Sequence, residues 1–144
     1  MNEPTVLDTT ASDLDLKTAI EDALWTLDTV RVSNPDLEIS VREGHATVRG
    51  IVGARAIQSQ VMEAVNSAPG LAEVTFELLN DDDLEYAAAL ALATDSRTRG
   101  IRPGYRVMSH DGHIRVFGKF RPEEAEAAEA VIKGVEGVKE VKVG

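Results

Sequence analysis

The feature that most limits what this chain can become is a repeated ten-residue stretch. Glu43 to Val52 reads EGHATVRGIV, and Asp111 to Phe120 reads DGHIRVFGKF. Aligned without a gap, both open on an acid, Gly and His, and both carry a second Gly seven residues after the acid. Fixed-offset self-similarity is the mark of a duplicated structural unit. At the offset of 68, Leu16 also matches Leu84, Ile39 matches Val107 and Val48 matches Val116. Beyond the hairpin the offset drops to 67, where Val65 matches Ile132, Gly70 matches Gly137 and Val74 matches Val141, so one residue is missing near the start of the second helix.

Each copy reads helix, strand, strand, helix, strand. Residues 1–12 lack periodicity and are expected to form a flexible tail. Asp13 is the expected N-cap of a helix over 14–28, since Leu16, Ile20, Ala23, Leu24 and Leu27 recur on one helical face. Ser33, Asn34 and Pro35 break it. Leu37, Ile39 and Val41 then alternate with polar residues, and after Glu43 and Gly44 the strand returns with Ala46, Val48, Gly50 and Val52 inward. The hairpin is thus 37–42 with 46–52. A second helix over 54–67 stops at Pro69 and Gly70, and a strand over 72–79 closes the copy. The run Asp81, Asp82, Asp83 is expected to cap the next helix, 83–95, as a solvated acidic cluster, a cation site being the alternative. A basic loop (97–104), a hairpin (105–109 with 113–120), a Pro-led helix (122–134) and a last strand (138–143) complete the second copy.

With 144 residues and 43% hydrophobic content the chain has room for two small domains. The absence of cysteine excludes disulfides and thiolate chemistry. A net charge of −10 argues against nucleic acid as a partner, because a basic footprint supplies most of that affinity. MNEPTVLDTTASD has neither a basic n-region nor an apolar h-region, and no apolar run is long enough to span a bilayer. The expected location is therefore the cytoplasm, or the periplasm and envelope if an export segment precedes this sequence.

The duplicated pattern, with Glu43, Gly44, Val48, Gly50, Gly70 and Val74 in one copy and Asp111, Gly112, Val116, Gly118, Gly137 and Val141 in the other, resembles the BON domain, named for bacterial osmotically induced and nodulation proteins. The resemblance implies an α+β fold: two tandem αββαβ repeats, 13–79 and 80–144, each a three-stranded sheet with two helices on one face. It also implies a non-enzymatic binding role, phospholipid or envelope attachment being the usual description, with potassium sensing in some relatives.

No residue grouping supplies a catalytic constellation. Glu123, Glu124, Glu126 and Glu129 read as a solvated helix face, and His45, His110 and His113 as surface residues near the turns, with metal binding requiring that the turns converge. No cofactor and no metal are expected. Gly44 and Gly112 turn the hairpins, while Gly50 and Gly118 are expected where a helix backbone nears the sheet.

What remains is the outward face of each sheet. In the first copy it comprises Glu38, Ser40, Arg42, Thr47, Arg49, Ile51, Thr75 and Glu77, a mixed surface. In the second, Arg106, Met108, Arg115, Phe117, Lys119 and Lys142 interleave cations with apolar groups, beside Glu140. Such a surface suits an anionic, partly apolar partner, whether a protein or a phospholipid surface. Met108, Phe117 and Ile51 could instead pack the halves together or form a dimer seam. Arg97, Arg99 and Arg102 extend the basic region along the sequence. The leading expectation is a protein partner or self-association through the second sheet; the rivals are anionic phospholipid and a potassium or calcium sensor.

Overall fold

The two hairpin turns have matching φ angles. Glu43 and Gly44 have φ of 52° and 80°, and Asp111 and Gly112 have 51° and 80°. Two successive positive φ values define the turn that matches the right-handed twist of a two-residue hairpin, and Gly takes the second place without steric cost. Around these turns the computed structural model describes residues 5–70 and 73–144, with side chains from Asp13 onward.

The first unit takes in residues up to Val52 and Ala56–Leu78. Helix α1 (Thr5–Trp25) is followed by the short α2 (Asp28–Ser33), β1 (Glu38–Arg42), β2 (His45–Val52), α3 (Arg55–Asn66) and β3 (Glu73–Asn80). The sheet order is β1-β2-β3, and β1 pairs antiparallel with β2 from Glu38 opposite Arg49 to Arg42 opposite His45. Ile20 and Leu24 from α1, Val61 and Val65 from α3, and Ala46, Val48 and Val52 from β2 form one buried cluster. Both helices therefore cover the same side of the sheet. Burying each valine or isoleucine there is worth about 1.5–3 kcal/mol.

The second unit takes in Gly53–Arg55 and Leu79–Gly144. Its elements are α4 (Asp81–Thr94), β4 (Arg106–His110), β5 (His113–Phe117), α5 (Pro122–Lys133) and β6 (Glu140–Val143), with sheet order β4-β5-β6. β4 and β5 are antiparallel; β5 and β6 are parallel, which requires the crossover that α5 supplies. Leu84, Ala88 and Leu92 of α4, Ala128, Val131 and Ile132 of α5, and Ile114, Val116 and Val141 of the strands are buried. Asn80 caps α4 by accepting from the Asp83 amide at 2.8 Å, with three acids in the first turn. Pro122 starts α5, and Glu124 accepts from the Arg121 amide at 2.9 Å.

Several expectations are corrected. Asp13 lies inside α1 and is not its N-cap. Residues 5–12, expected as tail, belong to α1, while 1–4 fall outside the described residues. The expected helix 14–28 ends at Trp25, and α2 follows as a separate helix. The acid run is not simply solvated, because Asp81 is only 4% exposed. Gly50, with φ of 152°, is approached by the chain entering β1 rather than by a helix: a Cβ there would lie 2.8 Å from the Asp36 carbonyl oxygen. A Cβ at Gly118 would lie 3.0 Å from Tyr105 Cβ and 3.1 Å from the Phe120 ring. Alternation ends at Gly50, so Ile51, expected outward, is buried together with Val52.

Candidate functional site

The helix-free side of the second sheet is set by its register. Arg106 stands opposite Phe117, Met108 opposite Arg115, and His110 opposite His113. On the other side of β5, Arg115 neighbours Lys142 and His113 neighbours Glu140. Because side chains alternate along a strand, these residues share one face, and every one of them is exposed while the intervening Ile114, Val116 and Val141 are buried. Met108 and Phe117 are each 41% exposed. The Arg115 guanidinium lies over the Phe117 ring, 4.9 Å from its centroid, a cation–π contact within the face.

An aspartate fixes the hairpin that presents this face. Asp81, at the start of α4, accepts the amides of Asp111 at 2.8 Å and Gly112 at 3.1 Å and the Ser109 hydroxyl at 2.6 Å. In the first unit, Asp13 accepts the amides of Glu43 at 2.8 Å and Gly44 at 2.9 Å. The helix thereby grips both positive-φ residues of the turn in each copy. These aspartates are the residues that capping logic missed; Asp13 and Asp81 stand at the same offset as Gly44 and Gly112, and that coincidence was the available signal.

The two sheet faces differ in how their charges are satisfied. On the first, Arg49 donates to Glu77 at 2.6 Å and lies 3.9 Å from Glu38, and these partners, Glu77 foremost, hold its guanidinium above the usual range. His45 Nδ1 contacts Glu73 at 2.7 Å and Nε2 contacts Thr75 at 2.9 Å. On the second, His113 Nδ1 lies 3.3 Å from Glu140. Arg106, Arg115 and Lys142, by contrast, have no carboxylate partner among the described residues. At matched positions Glu38, Ser40, Thr47, Arg49 and Thr75 are replaced by Arg106, Met108, Arg115, Phe117 and Lys142. A face that pairs Arg49 and leaves one open cation, Arg42, among the described residues has become one with three open cations and two apolar groups.

Not every sequence-expected residue joins it. Lys119 is exposed but lies past the end of β5 at Phe117, so the strand does not carry it on the face. Arg97 is taken up by Asp95, to which its backbone amide donates at 2.8 Å and its Nε at 3.0 Å; these bonds push the Asp95 carboxyl down to about 2. Arg99 and Arg102 are exposed and unpaired among the described residues.

Most of the carboxylates that could suggest chemistry are occupied by protein donors, Glu126 standing exposed on α5. Asp82 accepts the Arg55 amide at 3.0 Å, and Asp83 accepts Arg55 Nε at 2.9 Å; hydrogen bonds from Arg55 and then Asn80 hold the Asp83 carboxyl below its usual range. Glu124 pairs with Arg121 at 3.1 Å and Glu129 with Lys133 at 3.1 Å. Among the described residues no cluster of three His, Asp or Glu side chains is arranged to hold a metal ion, and no helix is long and apolar enough to cross a membrane.

Two αββαβ units in tandem, each gripping its hairpin turn from the first helix, define a class of small duplicated α+β domains. The chain belongs to the BON domain family, whose model matches residues 11–79 and again 80–144. No curated protein matches it. Among solved structures it is similar to the C-terminal domain of CdsD, the structural protein of the type III secretion system of Chlamydia trachomatis, with a TM-score of 0.68 and 12% identity. That match covers 91% of this chain and 66% of the other, so the chain spans just under two thirds of that structure's length. A second CdsD structure matches with a TM-score of 0.44 at 12% identity, over 90% of each chain. Likeness at this identity establishes fold alone.

Proposed function

We propose that this chain is a non-enzymatic interaction module that binds an acidic, partly apolar protein surface through the outward face of its second sheet. One observation carries the reading. Arg106, Arg115 and Lys142 stand unneutralised around exposed Met108 and Phe117, where the sister face pairs Arg49 with Glu77 and Glu38, leaves Arg42 alone open among the described residues and carries no exposed large apolar group. Interfaces favour arginine and large apolar side chains at their centres, and open cations add attraction at long range for an acidic partner. The similar CdsD domain is described as part of a structural protein, and a binding role agrees with that. A small-cation sensor draws less support, since Asp81, Asp82 and Asp83 each already engage protein donors.

The test is fluorescence anisotropy with a labelled peptide of alternating glutamate and leucine, set beside vesicles of phosphatidylglycerol or phosphatidylcholine. Peptide binding should weaken by about tenfold or more in Arg115→Glu. Thr47→Glu, the matched change on the first sheet, should leave it unchanged. Equal loss in both variants overturns the assignment to the second sheet. Binding to phosphatidylglycerol vesicles without binding to the peptide replaces the protein partner with a lipid surface.

A further inference from the structure

The partner chemistry that this face asks for is present elsewhere on the same chain. The outward stripe of α1 carries Leu14, Glu21 and Trp25, flanked by Asp15 and Asp22, all exposed. Leu14 is 64% and Trp25 60% exposed, so both large apolar side chains stand mostly free of the first unit's core. Asp15, Glu21 and Asp22 have no cationic partner among the described residues. Spacings of four, three and four residues from Leu14 through Thr18 and Glu21 to Trp25 keep this stripe on one side of the helix, opposite the buried Leu16, Ile20 and Leu24. Two cations lie nearby: Lys17 at the edge of the stripe, and Arg31, which donates to the Trp25 carbonyl at 2.7 Å and is paired with Asp28.

The two faces match in sign, composition and size. Three open acids and two apolar groups on α1 meet three open bases and two apolar groups on the second sheet. Leu14 to Trp25 covers roughly 16 Å at 1.5 Å per residue. The sheet face covers roughly 10 Å across three strands and 13 Å along β4. The sister helix α4 is a poorer fit. Of its exposed residues, Tyr86 and Leu90 are apolar, but Asp82 and Asp83 are already engaged by Arg55.

We infer that the partner is a second copy of this chain, the outward stripe of α1 in one molecule docking on the β4-β5-β6 face of the next. The inference rests on the reading of that sheet face as the recognition surface. Because the two surfaces differ, the contact is heterologous, and each molecule keeps one free donor face and one free acceptor face. Such a contact extends into head-to-tail chains unless it closes into a ring.

Sedimentation velocity on the full chain at low salt tests this with Trp25→Glu and Phe117→Glu, circular dichroism checking that each is folded. The average mass of the unaltered chain should rise with concentration past the dimer and fall when salt is raised to about 0.5 M. Each variant alone should remain a monomer. Mixed in equal amounts they should form a one-to-one complex that grows no further, since only one good face of each kind remains. Arg115→Glu and Glu21→Lys, which alter charge and little else, should behave in the same way as the first pair. If Phe117→Glu and Arg115→Glu assemble as the unaltered chain does, the sheet-face reading and this inference fall together. If those two lose assembly while Trp25→Glu and Glu21→Lys retain it, the sheet face stands and the α1 stripe is overturned. A mixture that fails to complement, or an unaltered chain that stays monomeric at about 1 mM, overturns self-association, and the peptide titration then decides on the sheet face alone.

Discussion

Asp81 accepts the amide of Gly112 at 3.1 Å, and it does so while buried. The bond joins the first turn of α4 to the tip of the β4-β5 hairpin, so the strand pair that carries Arg106, Met108, Arg115 and Phe117 is pinned to its helix at one end. In the first unit Asp13 reaches Gly44 at 2.9 Å in the same manner.

Removing this grip should cost stability unequally in the two units. Asp81→Ala leaves two turn amides and the Ser109 hydroxyl without their acceptor in a buried setting, an expected loss of about 2–4 kcal/mol. Asp13 is less buried and serves two amides rather than three donors, so Asp13→Ala should cost about 1–2 kcal/mol. Urea unfolding of the two variants checks the order.

The two strand-end glycines should also differ. Gly50→Ala forces a Cβ against the Asp36 carbonyl at 2.8 Å in a backbone with φ of 152°, and should destabilise by about 2–3 kcal/mol. Gly118→Ala meets only Tyr105 and Phe120 side-chain atoms at 3.0 Å and beyond, without positive φ, so it should cost about 1 kcal/mol. Thermal melts of both variants give the comparison.

The Asp95–Arg97 pair predicts a pH dependence with a definite sign. Hydrogen bonds from the Arg97 side chain, then from its backbone amide, hold the Asp95 carboxyl at about 2, below its value in the unfolded chain. The folded state thus binds fewer protons, and the contribution is complete above about pH 4 and disappears as the pH falls through 2. Arg97→Gln should therefore unfold at lower urea than the unaltered chain at pH 5, with the gap narrowing between pH 4 and 2. A constant gap would mean that the guanidinium acts without Asp95.

The divergence of the faces predicts that recognition can be moved. Glu38→Arg, Thr47→Arg and Arg49→Phe together copy Arg106, Arg115 and Phe117 onto the first sheet at exposed or half-exposed positions. The triple variant should gain a second site for the acidic peptide, doubling the stoichiometry in a calorimetric titration, provided the charge left on Glu77 is also removed by Glu77→Gln.

Much of the architecture was legible because it is repeated. Period-two alternation and the Glu43-Gly44 and Asp111-Gly112 turns gave both hairpins to within two residues at most boundaries, although β5 stops three residues short of the expected end. The α5 start at Pro122 agrees with its sequence signal as well. What escaped was set by tertiary contact. Asp13 looks like a cap because an acid ahead of an apolar stripe usually is one; only the folded hairpin reveals that its oxygens face Glu43 and Gly44. Ile51 was assigned outward by counting in twos, and the count fails where the backbone at Gly50 departs from strand geometry. On the candidate face, Arg106, Met108, Arg115, Phe117 and Lys142 were found by the same counting, and it failed only at Lys119, past the strand end. That these cations lack carboxylate partners could not be read from a sequence with more acids than bases.

The most direct measurement is amide chemical-shift mapping of the isotope-labelled chain during titration with the glutamate-leucine peptide. The shifts should concentrate on β4, β5 and β6 around Arg106, Met108, Arg115, Phe117 and Lys142, with Glu38 to Arg49 undisturbed. Shifts spread equally over both sheets, or centred on Glu38 to Arg49, would contradict the assignment to the second sheet.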